Sequence, residues 1–219
     1  MSILINAQDL SDNFERHTII DLRSKKAYDT AHIMGAVSLP AGDTPFKTPL
    51  GIPAEVQWAA FLGGCGVHNN SKIVAYDDGA SGRAAARFWY ISKHYGHADV
   101  LILNGGFPTA AGILPISTDV SEVKPAMYTT KVTPGYILEL GGILENYSKA
   151  TFLDVRSLEE FAGSNLRGNP RGGHLRGAIL AEMDNFFSDA PGQSFASPIK
   201  LADAMNNLGV RKEDFIVTY

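Results

Sequence analysis

Cysteine is almost absent from this sequence. Cys65 is the single one in 219 residues, which excludes an internal disulfide and fits a reducing compartment. A basic surplus is also lacking. There are 19 Lys and Arg against 23 Asp and Glu, for a net charge of -4, so no positive field calls for nucleic acid or an anionic membrane surface. No apolar run approaches the roughly 20 residues of a membrane span. The opening MSILINAQDLSDNFER turns polar and acidic within a few residues and has neither the basic start nor the long apolar stretch of a signal peptide. The cytoplasm is the expected compartment. What is present is ordinary for a soluble globular chain, with 45% hydrophobic, 19% charged and 10% aromatic residues and length for one or two domains.

The sequence repeats itself. IIDLRSKKAYDTAHIMGAVSLP (19–40) resembles FLDVRSLEEFAGSNLRGNPRGGHLRGAILA (152–181). Asp21-Leu22-Arg23 and Asp154-Val155-Arg156 stand 133 positions apart, whereas His32 and His174 stand 142 apart. The second copy therefore carries a nine-residue insertion rich in Gly and Arg. GVHNNSKIVAY (66–76) matches GVRKEDFIVTY (209–219), 143 positions on, and the copies stay in step up to Tyr219.

The local patterns alternate between strand and helix. Segments 17–23, 36–40, 72–76 and 99–103 are short apolar runs of strand length, and 215–219 reads as a buried strand of the same kind. Helices are expected from Pro53, at a first helical position, to Leu62, and from Ser81 to Tyr95. In the second copy, Thr133-Pro134 is expected to open a helix, and Ser157 to Glu160 forms a capping box. The pattern implies an α/β fold, with two domains that are each a mostly parallel sheet flanked by helices. The first domain is expected over 1–114, a polar, proline-bearing linker over 115–127, and a second, incomplete domain over 128–219.

In such sheets ligands bind beyond the carboxyl ends of the strands. There the first copy has Asp77-Asp78-Gly79-Ala80-Ser81-Gly82 leading into a helix. A short glycine loop entering a helix gathers backbone N–H groups that hold an anion or stabilise a thiolate. YDDGASGRAAARFWY, GHADVLILNGGF and the upstream DLR…AHIMGAV together resemble the N-terminal half of a tandem rhodanese, a thiosulfate or 3-mercaptopyruvate sulfurtransferase. The resemblance implies a catalytically silent first domain, with Asp77 opening its loop and Asp78, Gly79 and Gly82 completing a pseudo-active site. It also implies a nucleophilic cysteine at the same place in the second domain, just after FIVTY. That cysteine takes sulfane sulfur from a small anionic, thiosulfate-like donor as a persulfide and passes it to a thiophilic acceptor.

The chain stops one residue short of the position equivalent to Asp77, so the 219 residues by themselves are expected to be inactive, with no catalytic residue among them. Three explanations stand open: a sequence cut short, a swapped dimer that fills the open second domain, or a natural remnant. In the family's sheet the last strand lies between the first and the central one, so Lys131-Val132-Thr133 is expected to lack a neighbour to pair with.

Each remaining candidate has a plainer reading beside the sharp one. Cys65 reads as a small buried hydrophobe rather than a nucleophile. Asp77 and Asp78 fit a silent cradle better than an acid–base pair. Asp154, Arg156 and His174 read as structural support, as do Asp21, Arg23 and His32 in the first copy. No spacing suggests a metal site, and no cofactor is expected. Arg167, Arg171 and Arg176 lie in and beside the insertion, where the resemblance implies donor binding, with Arg171 the first choice. Some mercaptopyruvate-type members carry Arg where this chain has Glu160, which tilts the expected donor toward thiosulfate. The competing class is a non-enzymatic binding or regulatory module that docks through the first loop and the insertion.

Overall fold

The computed structural model describes residues 3–42, 51–79, 82–188 and 195–219. Contacts divide it into two compact units, the first running to Tyr136 and the second starting at Ile137.

The first unit contains β1 (Leu4–Ile5), α1 (Ala7–Ser11), β2 (Thr18–Asp21), α2 (Lys25–Thr30), β3 (His32–Ile33), β4 (Val37–Ser38) and α3 (Glu55–Gly64). It continues with β5 (Ile73–Tyr76), α4 (Arg83–His94), β6 (Val100–Leu103), α5 (Gly106–Ala110) and β7 (Ile116–Ser117). Five strands form a parallel sheet in the order β1-β6-β5-β2-β4. β6 thus lies between the first strand and the central β5. All four β5 residues are buried. Alternation sends Val74 and Tyr76 into a cluster with Leu10, Tyr28 and Ala110, and turns Ile73 and Ala75 to the opposite face. Trp58 of α3 meets Phe88 of α4 at 5.5 Å between ring centroids. With both faces covered, the strands read as continuous apolar runs rather than alternating ones.

Helix starts follow local chemistry. Ser24 caps α2 by accepting from the Ala27 N–H at 3.2 Å. α3 starts two residues after Pro53, with Ala54 at its N-cap, so Pro53 precedes the helix instead of opening it. α4 begins after Gly82, which holds φ 59; Ala80 and Ser81 of the expected loop lie outside the described residues.

The stretch read as a linker belongs to the first unit. β7 pairs antiparallel with β3, the Ala126 N–H donates to the Gly63 carbonyl at 2.8 Å, and Tyr128 is buried against His97. Lys131 and Thr133 donate to the carbonyls of Tyr95 and His94 at 3.1 and 2.7 Å. Lys131-Val132-Thr133 is accordingly not a strand, and Thr133-Pro134 opens no helix. The expected boundaries at 114 and 127 give way to one after Tyr136 because the polar run finds its backbone partners on the ends of α3 and α4.

The second unit contains α6 (Leu140–Asn146), β8 (Ala150–Asp154), α7 (Leu158–Ala162), β9 (Ile179–Leu180), α8 (Pro198–Asn207) and β10 (Phe215–Thr218). Its three strands lie parallel in the order β10-β8-β9, matching β5-β2-β4. Ser157 caps α7, accepting from the Glu160 N–H at 3.4 Å. β10 forms in the expected place but is not buried: Phe215 is 42% exposed and Ile216 36%, because this strand lies at the sheet edge.

Candidate active site

The carboxyl ends of the strands carry one brace, built twice. In the first unit the Asp21 carboxylate is fully buried and accepts from Arg23 Nη2 at 2.6 Å and Nε at 3.0 Å. Arg23 Nη2 also donates to the Ala31 carbonyl at 2.6 Å. Tyr76, at the end of β5, donates its hydroxyl to Asp21 at 2.5 Å, and the same oxygen accepts the Ile33 N–H at 3.2 Å. Burial, and then the Asp21 charge, push the Tyr76 phenol far above its ordinary pKa.

The second unit repeats this contact by contact. Arg156 donates to Asp154 at 2.9 and 2.5 Å and to the Gly173 carbonyl at 2.9 Å. The Leu175 N–H donates to the Tyr219 hydroxyl oxygen at 2.9 Å. The Arg156 guanidinium lies 5.6 Å from the Tyr219 ring centre, as that of Arg23 lies 5.4 Å from Tyr76. Burial raises the Asp154 pKa, but hydrogen bonds from Arg156 outweigh it and hold the carboxyl below its usual range.

Each histidine fastens the return of the chain. His32 stacks on Tyr28 at 3.8 Å and His174 on Phe161 at 3.6 Å. Each Nδ1 bonds the carbonyl of its stacking partner at 2.8 Å. Asp154 and Arg156 thus hold each other and the Gly173 carbonyl, and His174 holds the Phe161 carbonyl. Tyr76 and Tyr219 were not singled out; their signal was the repeat itself, which pairs them.

Asp77 follows Tyr76 and is buried. Its two carboxylate oxygens accept the Gly79 and Ala85 N–H groups at 3.0 and 3.1 Å, so the side chain occupies the mouth of the cradle at the start of α4. Asp77's carbonyl accepts the Phe107 N–H at 2.9 Å. A Cβ on Gly79, whose φ is +76, would lie 2.1 Å from the Gly105 carbonyl oxygen; only glycine lets the two loops approach this closely. Asp78 is exposed. Beside the loop is a hollow of about 340 Å³ lined by Arg23, Ser24, Lys26, Ala27 and Phe107, among others. The Phe107 ring lies 3.8 Å from the Arg23 guanidinium. In the second unit the place of Asp77 is the one following Tyr219.

The three arginines are not alike. Arg167 reaches Glu160, Nε to Oε2 at 3.5 Å. Arg176 is exposed, and its carbonyl accepts the Tyr147 hydroxyl at 2.8 Å. Arg171, the sequence's first choice, is exposed and makes no ion pair among the described residues. Cys65 is buried at the end of α3, and burial pushes its thiol up to about 11. That favours the neutral thiol, the form of a packing residue. Among the described residues no group of three or more His, Cys, Asp or Glu could hold a metal ion, and no helix is long and apolar enough to cross a membrane.

The rhodanese-like domain profile matches residues 6–110. Rat thiosulfate sulfurtransferase is 25% identical over 177 residues, which are 76% of this chain and 60% of the rat protein. Mouse 3-mercaptopyruvate sulfurtransferase is 28% identical, over 76% of this chain and 59% of its own. The chain thus spans about 60% of the length of these relatives. The crystal structure of SseA from Escherichia coli, a 3-mercaptopyruvate sulfotransferase, superposes with a TM-score of 0.85 at 20% identity, covering 100% of this chain and 88% of that one; it shares the fold. A putative thiosulfate sulfurtransferase of Mycolicibacterium smegmatis is 32% identical over 88% of this chain and 72% of its own length. Identity of that extent, on a sheet order that the two copies share, makes this chain a member of the rhodanese family.

Proposed function

We propose a sulfurtransferase of the thiosulfate type in which the second unit carries the chemistry and the first is silent. The observation that carries this reading is Asp77. Its carboxylate takes the N–H groups of Gly79 and Ala85 at the start of α4, donors that would otherwise serve a thiolate or an anionic donor. The second unit reproduces the supporting brace down to Tyr219, and the nucleophile belongs at the next position.

In this reading a cysteine thiolate there attacks the outer sulfur of thiosulfate. The S–S bond breaks, sulfite leaves with the electron pair, and a persulfide remains on the enzyme. A thiophilic acceptor then attacks the outer persulfide sulfur and restores the thiolate. The arginines of the insertion, absent from the silent copy, supply positive charge for the donor. The relatives at hand include sulfurtransferases for both thiosulfate and 3-mercaptopyruvate. Glu160, a carboxylate beside Arg156, favours the donor without a carboxylate. The single thiol of the 219 residues is buried, and we place the protein in the reducing cytoplasm.

Intact-mass measurement tests the reading. The full-length protein, incubated with thiosulfate, should gain one sulfur atom on a thiol other than Cys65, and cyanide should remove it. A protein that gains no sulfur, or gains it on Cys65, overturns the proposal.

A further inference from the structure

The amino ends of the first unit's strands lie at the pole opposite the brace and Asp77, and they enclose a larger hollow of about 610 Å³. Four of its lining residues stand one position ahead of four neighbouring parallel strands: Ile3 before β1, Asp99 before β6, Lys72 before β5 and His17 before β2. Strands that start side by side bring their preceding residues together, whatever the distance in sequence. Ile73 and Val100, partners in register, add apolar surface. Trp89 and Lys93, four positions apart on α4, form a wall. The volume falls within the roughly 300–1,000 Å³ of small-molecule sites, and the make-up is theirs too, apolar walls with a few placed polar groups.

The wall and its polar groups are held in place. The Trp89 indole meets the Tyr136 ring edge to face, 6.4 Å between centroids at 70°, and the Tyr136 carbonyl accepts the Tyr90 hydroxyl at 2.7 Å. Lys93 Nζ donates to the Ala98 carbonyl at 2.7 Å, which fixes the ammonium beside β6 and leaves two of its three N–H groups. His17 Nδ1 bonds the Asn13 carbonyl at 2.9 Å. A carbonyl only accepts, so Nδ1 carries a proton and Nε2 is the ring nitrogen that remains. Two lysines thus stand against one carboxylate, Asp99, in a chain whose net charge is -4.

The fold does not require these charges. In the second copy Ala150 stands where His17 does, 133 positions on, and Phe215 where Lys72 does, 143 positions on. Ala150 and Phe215 are partners in register in the second sheet, so the equivalent strand starts form with apolar residues there. The lining holds no glycine loop and no arginine fork among the described residues, the usual devices for phosphate. Two point charges beside an indole and apolar walls suit a carboxylate carried on a ring instead.

We propose that this hollow is a ligand site of the first unit and takes a small aromatic carboxylate, its ring against Trp89 and its charge toward Lys72 and Lys93. The site needs no sulfur chemistry and stands apart from the sulfurtransferase reading.

NMR titration of the isotope-labelled full-length protein with 2-naphthoate reads place and affinity together. The amide signals of Ile73, Lys93 and Val100 should move, with a Kd of about 1 mM or tighter for a ligand of this size. 2-Naphthamide, the same ring without the charge, should bind about tenfold more weakly. Lys72→Met/Lys93→Met should weaken 2-naphthoate about tenfold and leave 2-naphthamide within about twofold, since each exposed ion pair contributes a few-fold. Trp89→Leu should weaken both about fivefold. The inference is overturned by an absence of shifts, by shifts confined to other residues, by equal binding of the two compounds, or by wild-type affinity in the lysine variant. Trp89 also packs on Tyr136, so its variant can lose stability. Lys72 is exposed and the second copy builds the same strand start with Phe215, so the lysine variant keeps the test decisive.

Discussion

At the scale of single residues, the two copies are built around one and the same brace. Asp21 and Asp154 are both fully buried carboxylates, and each is tolerated because an arginine two positions on neutralises it. The Asp154 pKa lies below its usual range, so ionised Asp154 stabilises the folded second unit. That contribution is complete above the unfolded aspartate pKa of about 4 and is lost as the pH falls through the lower folded value. Urea unfolding midpoints followed by probes in the second unit should therefore drop on going from pH 5.5 toward 3. An Asp154→Asn variant should show a shallower pH dependence; an unchanged slope would mean that the pair does not set acid stability.

At the scale of elements, the loop after β5 is held less by side chains than by the approach of two backbones. Gly79 faces Gly105 and Gly106 so closely that a Cβ on Gly106 would lie 2.5 Å from the Gly79 nitrogen. Gly79→Ala meets both a carbonyl oxygen and a positive φ. It should lower the stability of the first unit by about 2 kcal/mol or more, the sum of a strained backbone and a displaced loop. Chemical denaturation checks this; a loss under about 0.5 kcal/mol, the scale of a neutral surface change, would mean that the loops can part freely. The same elements explain which parts of the site were legible in the sequence. Asp77, Gly79 and the DLR and DVR motifs are local signals, each visible within a few residues. The Glu160–Arg167 pair was not legible, because the two residues are joined by the path of an insertion that has no counterpart in the first copy.

At the scale of the whole molecule, the division into units departs from composition. Residues 115–127 look like a linker, with prolines and polar side chains, yet they continue into a strap that buries Tyr128 on the first unit. Tyr128 faces His97 at 5.7 Å between ring centroids, and its hydroxyl lies 3.2 Å from His97 Nδ1. A fragment ending at Tyr136 should unfold in one cooperative transition. One ending at Leu114 should be less stable by about 2–3 kcal/mol from the lost tyrosine burial alone. Equal midpoints for the two fragments in thermal or urea unfolding would put the boundary back at 114.

The sequence by itself determined the repeat, the alternation of strand and helix, the family and the glycine loop that Asp77 opens. These are written in short apolar runs, glycines and paired motifs whose meaning is local or recurs at a fixed offset. The tertiary structure alone decided two other matters. It tied the polar run after Leu114 to the first unit, because backbone groups there find partners on helix ends far away in sequence. And it set Arg167 apart from Arg171, because the fold of the chain brings the Glu160 carboxylate to Arg167 alone of the two.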